Sequence, residues 1–285
     1  RRERPVADFL QKMRSASRDR TREAARRRPA AELRARAADR SPAPALALSP
    51  EGFDVIAEIK RHSPGGDAAP SIRPERRAVA YAEGGAAAVS VLTEPRAFRG
   101  SLDDLAAASR ALDGSDRPIP TMRKDFIVDP YQLFEARAAG AGGVLLIADL
   151  LDTLDAAALL DAAVEAGLWV LVEAFADASV GRAARLVRQA DGRGVRALVG
   201  VNVRDLRTLA VDGGRLARVA DRLPVEVPRV AESGMASEVD VAAAARLGYD
   251  LALVGRALSA AHDPRGLTAD MLRAGRAARR EAASA

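Results

Sequence analysis

The chain has no cysteine, two histidines (His62 and His262) and three lysines (Lys12, Lys60 and Lys124) among 285 residues and 44 basic side chains. Without thiols there is no disulfide, no thiol nucleophile and no zinc–thiolate site, a usage that fits a cytoplasmic enzyme. Two histidines leave little for a histidine-rich metal site or a Ser-His-Asp triad. No apolar run approaches the roughly 20 residues of a membrane span, and the Arg-rich start carries no signal-peptide pattern. A G-x-G-x-x-G turn after the first apolar run is also missing, which counts against an open dinucleotide-binding sheet.

The shortage of lysine is informative because the other 41 basic residues are arginine. A guanidinium stays protonated, whereas burial can lower an ammonium's pKa until it gives up a proton. Lys60 stands directly before Arg61 in "EIKRHSPGG", and Lys124 directly after Arg123 in "TMRKDF". Both are therefore candidate proton donors or point-charge anchors. Lys12, in a basic segment, has no such setting.

The net charge is +5, but residues 1–40 sum to +8 and residues 271–285 to +3, which leaves −6 for residues 41–270. A mildly acidic body with basic terminal helices implies solvated basic faces and not a nucleic-acid footprint. Neither a nucleic-acid nor a membrane partner is expected.

From residue 53 onward, short apolar runs alternate with Ala-rich amphipathic segments. The runs cover residues 53–59, 87–93, 118–124, 143–148, 168–174, 197–203, 227–233 and 251–257. Most are apolar without alternation, as parallel strands buried on both faces require; "PIPTMRK" (118–124) is the weakest. Several helical segments end in Gly shortly before the next run, the usual left-handed terminator of a short loop. Eight strand–helix units predict an α/β fold, a (β/α)8 TIM barrel, over residues 48–285. Residues 1–47, with a helix from "VADFLQKMRSASRDRTREAARRR" and the Pro-rich connector "SPAPALALSP", are read as an N-terminal helical extension packed on the barrel.

Chemistry in such a barrel sits at the carboxyl ends of the strands. Those ends supply Glu58 and Lys60, Thr93 and Glu94, Lys124 and Asp125, Glu173, Asn202 and Arg204, Glu232 and Ser233, then Gly255 and Arg256. Two lysines and three glutamates on one rim would perturb one another's pKa values, which is how acid and base partners arise. On a period of two, Arg123 and Asp125 should point away from the mouth that Lys124 faces. Gly234 in "VAESG" and Gly255 in "LVGRAL" fall where barrels commonly bind phosphate. The expectation is a small phosphorylated substrate handled by acid–base chemistry, with no cofactor and no metal.

The motifs "IAEIKRHSPGGD", "VSVLTEPRAFRGS", "PTMRKDFIVDPYQLFEARAAGAGGVLLIADLL", "LVEAF", "VGVNVRDLRTLAVD", "VAESGM" and "LALVGRALSAAHDP" together resemble indole-3-glycerol phosphate synthase, in order and spacing, across residues 50–265. The resemblance implies a metal-free (β/α)8 lyase of tryptophan biosynthesis. Such an enzyme closes the pyrrole ring of 1-(2-carboxyphenylamino)-1-deoxyribulose 5-phosphate with loss of CO2 and water. It implies Lys124 as the general acid, Glu173 as the carboxylate that assists dehydration, and Lys60 as the lysine near the substrate carboxylate. Glu58 and Asn202 then tune and position these groups. Ser63, Arg204, Glu232, Ser233, Gly234, Gly255 and Arg256 fall near the phosphate or the rim. Phe98, Phe126 and Leu209 correspond to an apolar wall for the aromatic ring. The chain departs from the family at Gly65, Phe175, Val203 and Arg256, and none of these is the expected acid or base. Two other readings stand beside it: a phosphoribosyl-sugar isomerase on the same barrel, and a non-catalytic barrel whose basic tails recruit an acidic partner. The expected oligomeric state is a monomer or weak homo-oligomer.

Overall fold

The computed structural model describes residues 4–63, 66–67, 73–204 and 210–284. Eight parallel strands close into a barrel: β1 (Asp54–Ile59), β2 (Ala88–Leu92), β3 (Thr121–Lys124), β4 (Gly143–Ile147), β5 (Trp169–Ala174), β6 (Ala197–Asn202), β7 (Arg229–Glu232) and β8 (Leu251–Val254). Closure comes from β1, which pairs with β2 through Ala57 and Val89 and with β8 through Val55 and Ala252. This pairing rules out the open sheet. Every expected run carries a strand, including the weak third one, whose strand starts only after Pro120. Proline lacks the N–H that a ladder needs, which explains the late start. The eighth run overshoots because Arg256 opens a short helix.

Most strand residues are buried on both faces. Side chains fill the barrel on one side, and the helix layer covers the other. Glycines at the expected helix ends, Gly85, Gly140, Gly167 and Gly248, all have positive φ, which lets the chain reverse into the next strand without a Cβ clash.

The segment before β1 forms two helices, α1 (Arg4–Arg27) and α2 (Ala30–Ala38). Only one was expected. Pro29 separates them, since proline disfavours helix in the residue before it and starts a new helix readily. Leu10 and Met13 of α1, Leu33 and Ala37 of α2, and Leu46 of the connector all join the main hydrophobic core.

The basic helix faces are less solvated than expected. Arg14 pairs with Asp155 and, at 3.6 Å, with Asp152, while Arg18 lies 3.4 Å from Asp155. At the other end of the chain, Arg276 reaches Asp54 at 3.2 Å and Arg279 reaches Asp250 at 2.8 Å. Part of the terminal positive charge therefore fastens the terminal helices to the acidic barrel. No helix among the described residues is long and apolar enough to cross a membrane.

Candidate active site

The carboxyl ends of the strands open into a cavity of about 600 Å³, a size usual for small-molecule sites, which run from about 300 to 1,000 Å³. Glu58, Lys60, Lys124, Glu173, Asn202, Arg204, Ser233, Gly234, Gly255 and Arg256 all line it. Both lysines thus face one space, and the two glycines share it with them.

Lys124, at the end of β3, projects between two carboxylates: its Nζ is 3.4 Å from Glu58 Oε2 and 3.5 Å from Glu232 Oε2. Lys60 Nζ lies 2.9 Å from the other Glu58 oxygen. Across the barrel, Asn202 donates from Nδ2 to Glu173 Oε1 at 2.6 Å, while its Oδ1 accepts the Arg204 N–H at 2.9 Å. Polar groups from β1, β3, β5, β6 and β7 thus meet at the carboxyl ends of the strands.

Burial alone would depress the Lys124 pKa, as the sequence led one to expect. The charges of Glu58, Glu173 and Glu232 overcome it and push the ammonium well above its ordinary value. Lys124 is therefore held charged, with its protons bound more firmly than in an ordinary ammonium. Glu58 shows the mirror image. Burial pushes its carboxyl up, but Lys60 and Lys124 pull it down further, and it ends below the ordinary value.

Glu232 goes the other way. Burial and the charge of Glu173 raise its carboxyl far above the usual range, and the Lys124 cation only partly offsets them. Glu173 Oε2 and Glu232 Oε1 are buried with no hydrogen-bond donor among the described residues. The raised Glu232 carboxyl holds a proton more firmly than an ordinary carboxyl does, next to Glu173 and Lys124. Glu232 is thus a member of the charged cluster and not only a rim residue. A signal for this was present in the sequence. Gly200 interrupts the apolar run "ALVGVN", and a Cβ there would collide with Glu232 Oε1; glycine inside a strand marks such close approach. Gly255 likewise leaves room for Glu58 and Lys60.

Two further arcs complete the cavity. Beside β6 to β8, Arg204 and Arg256 stand close enough that burial and the Arg256 charge lower the Arg204 pKa. Ser233 and Gly234, both with positive φ (64° and 75°), turn the chain just after β7. On the opposite arc, the Phe126 ring lies 6.3 Å from Phe98 and meets Phe9 edge-on at 6.1 Å. Phe9 was not anticipated, because the apolar residues of a surface-packed helix give no sign of which one reaches a cavity. Ser63 sits in a two-residue strand paired with Gly66. Leu209 and Gly65 lie outside the described residues. Thr93, Glu94 and Asp125 serve the loops: Glu94 accepts from the backbone N–H groups of Arg96, Ala97 and Phe98, and Thr93 donates to Asp125 at 2.8 Å.

The family model for indole-3-glycerol phosphate synthase matches residues 10–271. The chain belongs to that family. It is 46% identical over 230 residues to the indole-3-glycerol phosphate synthase of Mycolicibacterium smegmatis, 80% of each chain, and 46% identical over 242 residues to that of Mycolicibacterium vanbaalenii, 84% of each. Among solved structures, it is similar to 3-hexulose-6-phosphate synthase from Salmonella typhimurium, with a TM-score of 0.56 and 18% identity over 78% of this chain and 98% of that one. Thiamine phosphate pyrophosphorylase from Pyrococcus furiosus gives a TM-score of 0.55 and 15% identity over 80% and 97%. Likeness at that identity shows the barrel fold alone. Membership of the indole-3-glycerol phosphate synthase family accounts for a lyase with a phosphorylated small-molecule substrate on this fold.

Proposed function

We propose that the chain closes the pyrrole ring of 1-(2-carboxyphenylamino)-1-deoxyribulose 5-phosphate with Lys124 as general acid, and that the Glu173–Glu232 pair manages the protons of dehydration. The observation that carries the reading is the Lys124 ammonium held between Glu58 and Glu232 inside the cavity. The ring carbon bearing the carboxylate attacks the ketone carbon, and the ketone oxygen takes up negative charge. A developing alkoxide is basic enough to take a proton even from an ammonium held this firmly, and a compact ammonium presents that proton as a point donor, where a planar guanidinium would fork onto the two flanking carboxylates. The carbon–carboxylate bond then breaks, its electron pair restores the aromatic ring, and CO2 leaves. Loss of the new hydroxyl as water, with a proton from the adjacent methylene, completes the pyrrole. A carboxyl pair carrying one proton suits this step, since it can give one proton and accept another.

The remaining residues support the substrate's two ends. Lys60, paired to Glu58, offers a cation for the departing carboxylate. Arg204, Arg256, Ser233 and Gly234 form the phosphate end, and Phe98 and Phe126 the aromatic end. Asn202 keeps the Glu173 carboxylate turned inward.

The test separates the two chemical steps. With the substrate supplied, the wild type should release CO2 and generate indole fluorescence together. Glu173→Gln should release CO2 faster than indole fluorescence appears, because dehydration lags. Equal loss of both signals would remove the assignment of Glu173 to the second step.

A further inference from the structure

Helix α1 carries more than the core residues of an extension. Among its buried and half-buried positions, Phe9, Leu10, Met13, Ser17, Arg20 and Thr21 recur at three- and four-residue spacing and so share one face. Phe9 and Arg20 are eleven residues apart, about 16 Å along the helix. The two ends of this face touch different parts of the same site.

At one end, Phe9 lines the cavity and packs edge-on against Phe126. At the other, the Arg20 guanidinium spans two carboxylates, at 3.0 Å to Glu94 Oε1 and 2.7 Å to Asp125 Oδ1. Both acids are almost wholly buried, with side-chain exposures of 0% and 1%. Each is already a loop organiser. The three N–H groups bound by Glu94 belong to the turn that ends in Phe98. Asp125 accepts from the Phe126 N–H at 2.8 Å and directly follows Lys124. Between the two ends, the Ser17 hydroxyl donates to the Phe126 carbonyl.

We propose that Arg20 is a positioning residue for the aromatic half of the substrate: by bridging Glu94 and Asp125 it fixes Phe98, Phe126 and Phe9, from three separate chain segments, into one wall. Arg20 itself touches neither the cavity nor the reacting atoms, and it acts through its two carboxylate partners. A planar guanidinium can engage two carboxylates at once, which an ammonium does less well. The arrangement also predicts that the fold survives its loss. Glu94 keeps three backbone donors, and Asp125 keeps Thr93, Arg123 and the Phe126 N–H. The inference rests on the proposed substrate, whose aryl ring needs such a wall.

The experiment compares the wild type, Arg20→Ala, Arg20→Lys, Phe9→Ala and the Arg20→Ala/Phe9→Ala double variant in steady-state turnover. Thermal melts confirm folding. Arg20→Ala is expected to raise KM on the order of tenfold while kcat changes much less, because wall placement and not proton transfer is disturbed. Arg20→Lys should recover part of the loss. The double variant should lose less than the product of the two single losses, since both act on one wall. Inhibition by indole-3-glycerol phosphate should weaken in Arg20→Ala, whereas inhibition by inorganic phosphate should not.

An unchanged KM in folded Arg20→Ala, equal weakening of both inhibitors, or fully multiplicative losses would each overturn the proposal. Should Arg20→Ala melt before assay, Arg20→Lys decides alone: normal KM and normal inhibitor ratios sink it. A wild type that fails to turn over the substrate contradicts the proposed function instead, and the two failures are thereby distinguished.

Discussion

The rim of this barrel has two faces that use the same residue types for opposite ends. Inward lie Glu58, Lys60, Lys124 and Glu232, paired at 2.9 to 3.5 Å at an open cavity, with Glu173 held by Asn202 at 2.6 Å beside them. Outward lie Arg20, Arg123, Asp125 and Glu94, packed between strands and helices. Arg123 alone donates to Thr93, the Gln132 carbonyl, Glu135 and Asp125. The switch between the faces takes one residue, since successive side chains of a strand point to opposite sides. Lys124 faces the cavity between Arg123 and Asp125, whose side chains bond to each other and to Thr93 instead. Lys60 precedes Arg61, whose guanidinium grips Asp104 through two bonds of 2.7 and 2.8 Å. Arginine thus sits where several fixed acceptors must be joined at once. Lysine sits where a proton or a compact charge has to be presented to something that comes and goes.

The most severe way to break this contrast is Lys124→Arg. It keeps the charge between Glu58 and Glu232 but withdraws the proton donor. Turnover should fall by about 10²- to 10⁴-fold, while the melting temperature stays near that of the wild type. Steady-state kinetics and a thermal melt on the same sample check both halves. An active Lys124→Arg would mean that inward position, and not ammonium chemistry, is all the site requires.

The outward face should answer differently. Arg123→Met leaves Asp125 and Glu135 short of a buried cation, and breaking such a pair costs about 3–5 kcal/mol. The loss should appear in chemical denaturation, with kcat per folded molecule largely retained. If instead kcat collapsed while stability held, the outward cluster would belong to the chemistry and the division drawn above would fail.

Much of this division was legible before the fold. The pairing of rare lysines with neighbouring arginines, the eight apolar runs and the strand-end glutamates required only periodicity and charge counting, because strand alternation is a local rule. What sequence could not supply was distance. The elevation of the Lys124 pKa depends on three carboxylates from β1, β5 and β7 arriving together, and burial alone argued for the opposite sign. Phe9 and Arg20 were hidden for the same reason. They belong to a helix whose contacts with β2, β3 and their loops join positions some 70 to 120 residues away. Gly200 and Gly255 sat in plain view, but their meaning lies in the side chains that lean over them.

The mildest test sharpens the inward side. The raised Glu232 carboxyl has a pH signature that the outward arginine clusters lack. Glu232 has a folded-state pKa raised above its ordinary 4.5. Its contribution to stability is therefore complete below that ordinary value and is lost as pH rises through the raised one. Across that window the wild type should lose up to about 1.4 kcal/mol per pH unit from this group. Glu232→Gln is neutral throughout and can still donate to Glu173. Its melting temperature should match the wild type in acid and exceed it progressively as pH rises. Glu58 has a lowered pKa, and its contribution fades in the other direction, as pH falls through the depressed value. Because Glu58 is present in both proteins, the difference between the two curves isolates the Glu232 proton. Parallel curves across the whole range would mean that Glu232 is an ordinary charged carboxylate, balanced by Lys124 alone.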